Sequence, residues 1–102
     1  MTKVVDIALR ISAQNAFLGR IHDCMRLIKI NESDDVINLS VIVSEEPVQD
    51  VVDDISEAAA EIVADFSDKR ISETVEVSTV DLPRENILQA GWIFRRAERQ
   101  TE

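Results

Sequence analysis

The single imidazole and the single thiol of this chain stand two residues apart, in His22-Asp23-Cys24. On an extended strand residues two apart share a face, so the pair could set a base beside a nucleophile. That chemistry also needs an orienting group, an oxyanion hole and a cleft, and a zinc site needs further ligands of a kind this chain lacks. The plain alternative is a histidine at the entry of a strand and a small buried cysteine. Gly19 and Gly91 are the only glycines, so there is no Gly-rich phosphate loop, no nucleophile elbow and no calcium loop. No catalytic residue, metal ligand or cofactor is assigned on this basis.

A second group of polar residues gathers near the end of the first predicted helix. Asn15 falls between Ile11 and Leu18 on what reads as the apolar face, with Gln14 at its edge. A buried amide must be hydrogen-bonded. Asn15 is therefore expected either to bond backbone at the helix-to-strand junction or to line a small pocket with His22 and Arg26. Such a pocket would make the chain a ligand-binding domain or a small enzyme.

The third feature is a row of acids. Asp50, Asp53, Asp54, Glu57, Glu61, Asp65 and Asp68 follow one another at short helical steps with no Lys or Arg among them. Like-charge neighbours cost an isolated helix roughly 0.2–0.5 kcal/mol each, and acids near its C-terminus oppose the dipole. Helix stability alone does not favour this pattern. One account is a solvated face that keeps the protein soluble; the other is steering of a basic protein partner, with Asp50, Asp53, Asp54, Glu57, Glu61 and Asp65 as its contacts.

These residues are carried by a regular alternation of elements. Val4, Ile7, Ala8, Ile11 and Leu18 share one face at the 3.6-residue period while Asp6, Arg10 and Gln14 point away, which predicts a helix that Gly19 stops. The dense apolar run from Arg20 to Ile30 predicts a strand, and Asn31 to Asp35 a turn. Ile37, Leu39, Val41 and Val43 alternate with polar residues as a second strand. Ser44 as N-cap, Glu45, Glu46 and Pro47 in the first turn, then Val48, Val51, Val52, Ile55, Ala58, Ala59, Ile62, Val63 and Phe66 predict a long amphipathic helix. A third strand over Ile71 to Thr79 is broken by Pro83, and Trp92-Ile93-Phe94 heads a fourth. The expected fold is α+β, order α-β-β-α-β-β, with both helices packed on one face of a mostly antiparallel four-stranded sheet. Trp92 and Phe94 give the last strand more apolar surface than a one-sided sheet needs, so they are candidate contacts of a homodimer.

Composition fits one such domain. Val, Ile, Leu and Phe make up 33 of the 102 residues, well above the roughly 20% at which charged chains stay disordered. A single domain is expected over residues 1–98, followed by a polar tail at 99–102. Residues 1–31 hold five basic and two acidic groups, residues 32–68 hold twelve acidic and no basic ones, and residues 69–102 hold six of each, for a net charge of -9. A face of that sign repels phosphate backbones, so no direct nucleic-acid contact is expected through it. No stretch reaches the ~18 apolar residues of a membrane span, no secretory leader pattern is present, and a lone Cys24 asks for no oxidising compartment. A cytoplasmic location follows as an expectation.

The segment Ala13-Gln14-Asn15-Ala16-Phe17-Leu18-Gly19, then Arg26, the Ser44-Glu45-Glu46 helix start, Ile62-Val63-Ala64-Asp65-Phe66 and the late Trp92 resemble a family of small uncharacterised bacterial αββαββ proteins. The resemblance implies a compact stand-alone domain and carries over no site residues. Two functions are left from the residues themselves. The first is a non-enzymatic interaction protein of the immunity, antitoxin or regulatory kind, presenting its acidic helix to a basic partner; the second is the pocket of Asn15, His22 and Arg26.

Overall fold

The computed structural model describes residues 6–82 and 91–98. The elements run α1 (Ile7–Ala16), β1 (Met25–Ser33), β2 (Val36–Val43), α2 (Gln49–Ala64), β3 (Arg70–Val77) and β4 (Trp92–Arg95). The predicted element order is thus present, while Val4, Pro83, Arg99 and the 99–102 tail lie outside the described residues.

The sheet has the order β3-β2-β1-β4, so the β1–β2 hairpin forms its centre. Asp34 and Asp35 close that hairpin with φ of 52° and 64°, the left-handed pair that a two-residue turn needs to match strand twist. The expected turn over Asn31 to Asp35 therefore shrinks to two residues, and β1 runs on to Ser33. β1 pairs antiparallel with β2 and with β4, but β2 and β3 run parallel from Val36↔Arg70 to Val43↔Val77. The sheet is mixed rather than mostly antiparallel. The cause lies in the connection: α2 carries the chain back along the length of β2, so the strand that docks beside β2 must run the same way.

Both helices pack on one sheet face, as expected. Leu9, Ala13, Ala16 and Phe17 from the α1 region and Val51, Ile55, Ala58, Ala59 and Ile62 from α2 join Ile28, Ile30, Ile37, Leu39, Val41 and Val43 in a single buried cluster. The face of α1 differs from the reading above. Asp6 is the N-cap, its Oδ1 accepting from the backbone N–H of Ala8 at 2.7 Å and of Leu9 at 3.3 Å. The buried side is Leu9, Ser12, Ala13 and Ala16, which leaves Ile7, Ile11 and Leu18 in solvent. Small side chains let α1 approach both the sheet and α2, and close packing at that seam outweighs the larger apolar count of the opposite side.

A smaller cluster sits on the other sheet face, where Trp92 and Leu82 pack on Leu27 with Ile42 beside them. The register of β4 on β1 shifts between Ile28 and Lys29. That irregularity turns Trp92 to this side, while Ile93 and Phe94 pack against the main core. Trp92 is thus buried within its own chain, while Ile93 and Phe94 are half-buried.

Candidate functional site: the two-helix layer

The start of α2 lies later than its sequence signals imply. Ser44 donates its backbone N–H to the Cys24 carbonyl at 2.8 Å, extending the β1–β2 edge instead of capping a helix. Pro47 precedes the first turn, and Val48, with φ -71° and ψ 164°, takes the N-cap position without any side-chain bond to the helix. From there Val51, Ile55, Ala58, Ala59 and Ile62 face the core. At 100° per residue the acids cannot then all point straight outward. Asp54, Glu61 and Asp65 fall on the flank turned to α1, Asp53 and Glu57 stand outermost beside the small Ala60 and Ala64, and Asp50 lies between.

Three side chains from the α1 region answer that flank. Ser12 donates its hydroxyl to Asp65 at 2.6 Å. Arg20 pairs with Glu61 and lies 3.9 Å from Glu57, and its Nη1 also donates to the Ala16 carbonyl at 2.7 Å, closing the C-terminus of α1. His22 Nε2 stands 2.6 Å from Asp54 Oδ2. Because Ser12 meets the end of α2 and Arg20 and His22 meet its middle, the two helices run antiparallel. Nearer the N-terminus, Gln49 Nε2 donates to Asp53 at 2.8 Å. On the opposite flank Ser56 donates to Glu73 of β3 at 2.9 Å. Among the described residues the six carboxylates from Asp50 to Asp65 thus meet one guanidinium, one imidazole, one hydroxyl and one amide, so acids outnumber cations along the row. Asp68, in the turn after α2, is exposed.

The predicted pocket does not assemble. Asn15 is exposed, on the solvent side of α1, since the buried side is the one with Ser12 and Ala16. His22 and Cys24 lie in the turn before β1 and not within it, and the histidine ring is engaged by Asp54. They line an open cleft of about 430 Å³ with Ile21, Glu45, Glu46 and Val48. Arg26 is buried at 4% exposure and belongs to a different cleft, with Glu98 and Arg96. Its Nε and Nη2 reach Glu98, and Nη1 donates to the carbonyls of Ser78 and Val80 at 2.8 and 2.9 Å. All its nitrogens are spent on holding the chain together, and the bond to Glu98 raises its pKa further against the cost of burial. The same bond holds the Glu98 carboxyl at about 2, below the usual carboxylate range. Among the described residues no group of three or more His, Cys, Asp and Glu side chains is placed to hold a metal ion. No described helix is long and apolar enough to cross a membrane.

The sequence reading missed Ser12 and Arg20. Ser12 stood as one polar residue in a helix, and Arg20 carried a faint signal, being the first residue after the Gly19 stop and so placed at the carbonyl end of α1.

Two helices layered on one face of a mixed four-stranded sheet, α2 carrying the acidic row, define a small α+β domain. The chain matches the MafI2 immunity protein family over residues 6–98, nearly its whole length, and belongs to that family. No curated protein sequence matches it.

Proposed function

We propose that this chain is an immunity protein that neutralises a cationic toxin by presenting the acidic outer surface of α2 to it. The observation that carries the reading is the family match over residues 6–98. The acidic row adds the chemistry: Asp50, Asp53, Asp54, Glu57, Glu61 and Asp65 outnumber Arg20, and the net charge of -9 is concentrated in the same stretch. Complementary charge speeds encounter and selects the partner. A toxin that handles phosphate-rich substrates must carry clustered Lys and Arg, and a row of carboxylates competes for that surface.

Titration calorimetry against a candidate toxin domain, chosen from among the products of neighbouring genes and inactivated at its active site, tests the reading. Affinity should fall about tenfold or more as salt rises from 50 to 500 mM. The Asp50→Asn, Asp53→Asn, Glu57→Gln triple variant should bind weakly at both salt concentrations. Binding insensitive to salt and to that variant would remove the acidic helix from the contact.

A further inference from the structure

The outward side of α1 is apolar where a solvent face is ordinarily polar. Ile7, Ile11 and Leu18 are 71%, 52% and 74% exposed, and Ile21 just beyond the helix is 44% exposed. Ile7 and Ile11 lie one turn apart on the outer side of α1, and Leu18 and Ile21 follow in the turn after it, beyond the exposed Gln14 and Asn15. Beside the end of the row is a shallow apolar hollow of about 200 Å³ lined by Phe17, Leu18, Ile21, Ile93 and Phe94, with Gln14 at its rim. Scattered apolar residues on a surface need no explanation, but four exposed ones following one another along the outside of one element, two of them lining an apolar hollow, mark an interaction site.

The row lies next to the acids. The Ser12–Asp65, Arg20–Glu61 and His22–Asp54 contacts fix α1 antiparallel to α2 on the same sheet face, and packed helices lie about 8–10 Å apart. The layer therefore offers two parallel tracks, one apolar and one anionic.

We infer that these two tracks form one docking face, and that its occupant is a cationic protein surface whose apolar ridge seats on Ile7, Ile11 and Leu18 while flanking Lys and Arg side chains meet Asp53, Glu57 and Asp50. The inference rests on the proposed immunity function and deepens it, assigning to α1 the hydrophobic half of the contact. Charge complementarity selects the occupant: a second copy of this chain would bring its own carboxylates against the row, whereas a basic surface satisfies both tracks. The division of labour follows from physics, the acids governing encounter and salt dependence and the apolar row governing dissociation.

The test is an Ile7→Gln, Ile11→Gln, Leu18→Gln variant, which leaves net charge unchanged and at positions 7 and 11 suits a helix, assayed against the same inactivated toxin domain as above. Affinity should fall at least about tenfold, mainly through faster dissociation, with the salt slope of the parent retained. Should the triple variant lose its helical circular dichroism, Leu18→Gln alone carries the test with a smaller loss. Parent-like binding by these variants, while Asp50→Asn, Asp53→Asn, Glu57→Gln binds weakly, overturns this inference and leaves the acidic contact standing. Parent-like binding by both sets overturns both. Sedimentation of the unbound chain as a dimer that the Gln variants convert to monomer also overturns it, because the row would then be a seam between copies.

Discussion

Arg26 and Glu98, seventy-two positions apart, form a two-pronged pair, Nε and Nη2 of the guanidinium each 2.7 Å from a different carboxylate oxygen. With Nη1 on the carbonyls of Ser78 and Val80, this one side chain ties the start of β1 to the exit of β3 and to the residues after β4. Bidentate geometry of this kind is among the stronger polar contacts a protein makes, and half-breaking it leaves a buried charge poorly paired.

Glu98→Gln keeps the shape and removes the charge. It should lower unfolding free energy by about 2 kcal/mol at pH 7, read from urea denaturation. The Glu98 carboxyl lies at about 2 in the fold against an ordinary 4.5. A depressed acid stabilises the fold above its unfolded value, and that contribution drains away as pH falls from 4.5 towards 2. The gap between parent and variant should therefore be full at neutral pH and close on acidification, and a gap constant with pH would disprove the assignment.

The hairpin turn holds two Asp residues with positive φ, a conformation that L side chains adopt at a cost and that Asn-Gly adopts readily. Asp34→Asn with Asp35→Gly should raise stability by about 1 kcal/mol and lift Tm by several degrees. An unchanged or lowered Tm would mean that the Asp35 carboxylate, 3.7 Å from Lys69, matters more than the backbone.

Val48 occupies the N-cap of α2 and gives that helix no side-chain acceptor. Val48→Ser supplies one at a position that is 67% exposed, and should stabilise the protein by about 1 kcal/mol in thermal denaturation. Amide exchange of Asp50 and Val51, the N–H groups within reach of that hydroxyl, should slow in parallel.

Ser12 is nearly buried and donates to Asp65 across the helix seam. Ser12→Ala should cost about 1 kcal/mol, and in an Asp65→Asn background the same substitution should cost less, the double-mutant cycle isolating the bond. Equal costs in both backgrounds would show that Ser12 acts only through packing.

Much of the fold was legible because periodicity is a strong signal. β2 alternates strictly, and the stripe of α2 from Val51 to Ile62 is both long and clean. What was hidden depended on tertiary choices. Which side of α1 is buried turned on Ser12 and the small alanines fitting a crowded seam, while a count of large apolar residues favours Ile7, Ile11 and Leu18. The parallel β2–β3 pair turned on where the strand after α2 docks, which local sequence does not encode. The acids of α2 were plain from spacing alone, yet their partners Ser12, Arg20 and His22 come from a separate part of the chain, more than thirty residues away. Asn15, Arg26 and His22 looked like neighbours because they are close in sequence; the fold sends one to solvent, one to a structural anchor and one to Asp54.

The strand order β3-β2-β1-β4 places the two earliest strands in the middle and the two latest at the rims. A sheet built this way can grow outward during synthesis: the tight hairpin precedes α2, β3 and β4 in the chain, and each later strand joins a free margin without prising apart a ladder already zipped. Vectorial assembly from the ribosome and the final architecture thus never conflict.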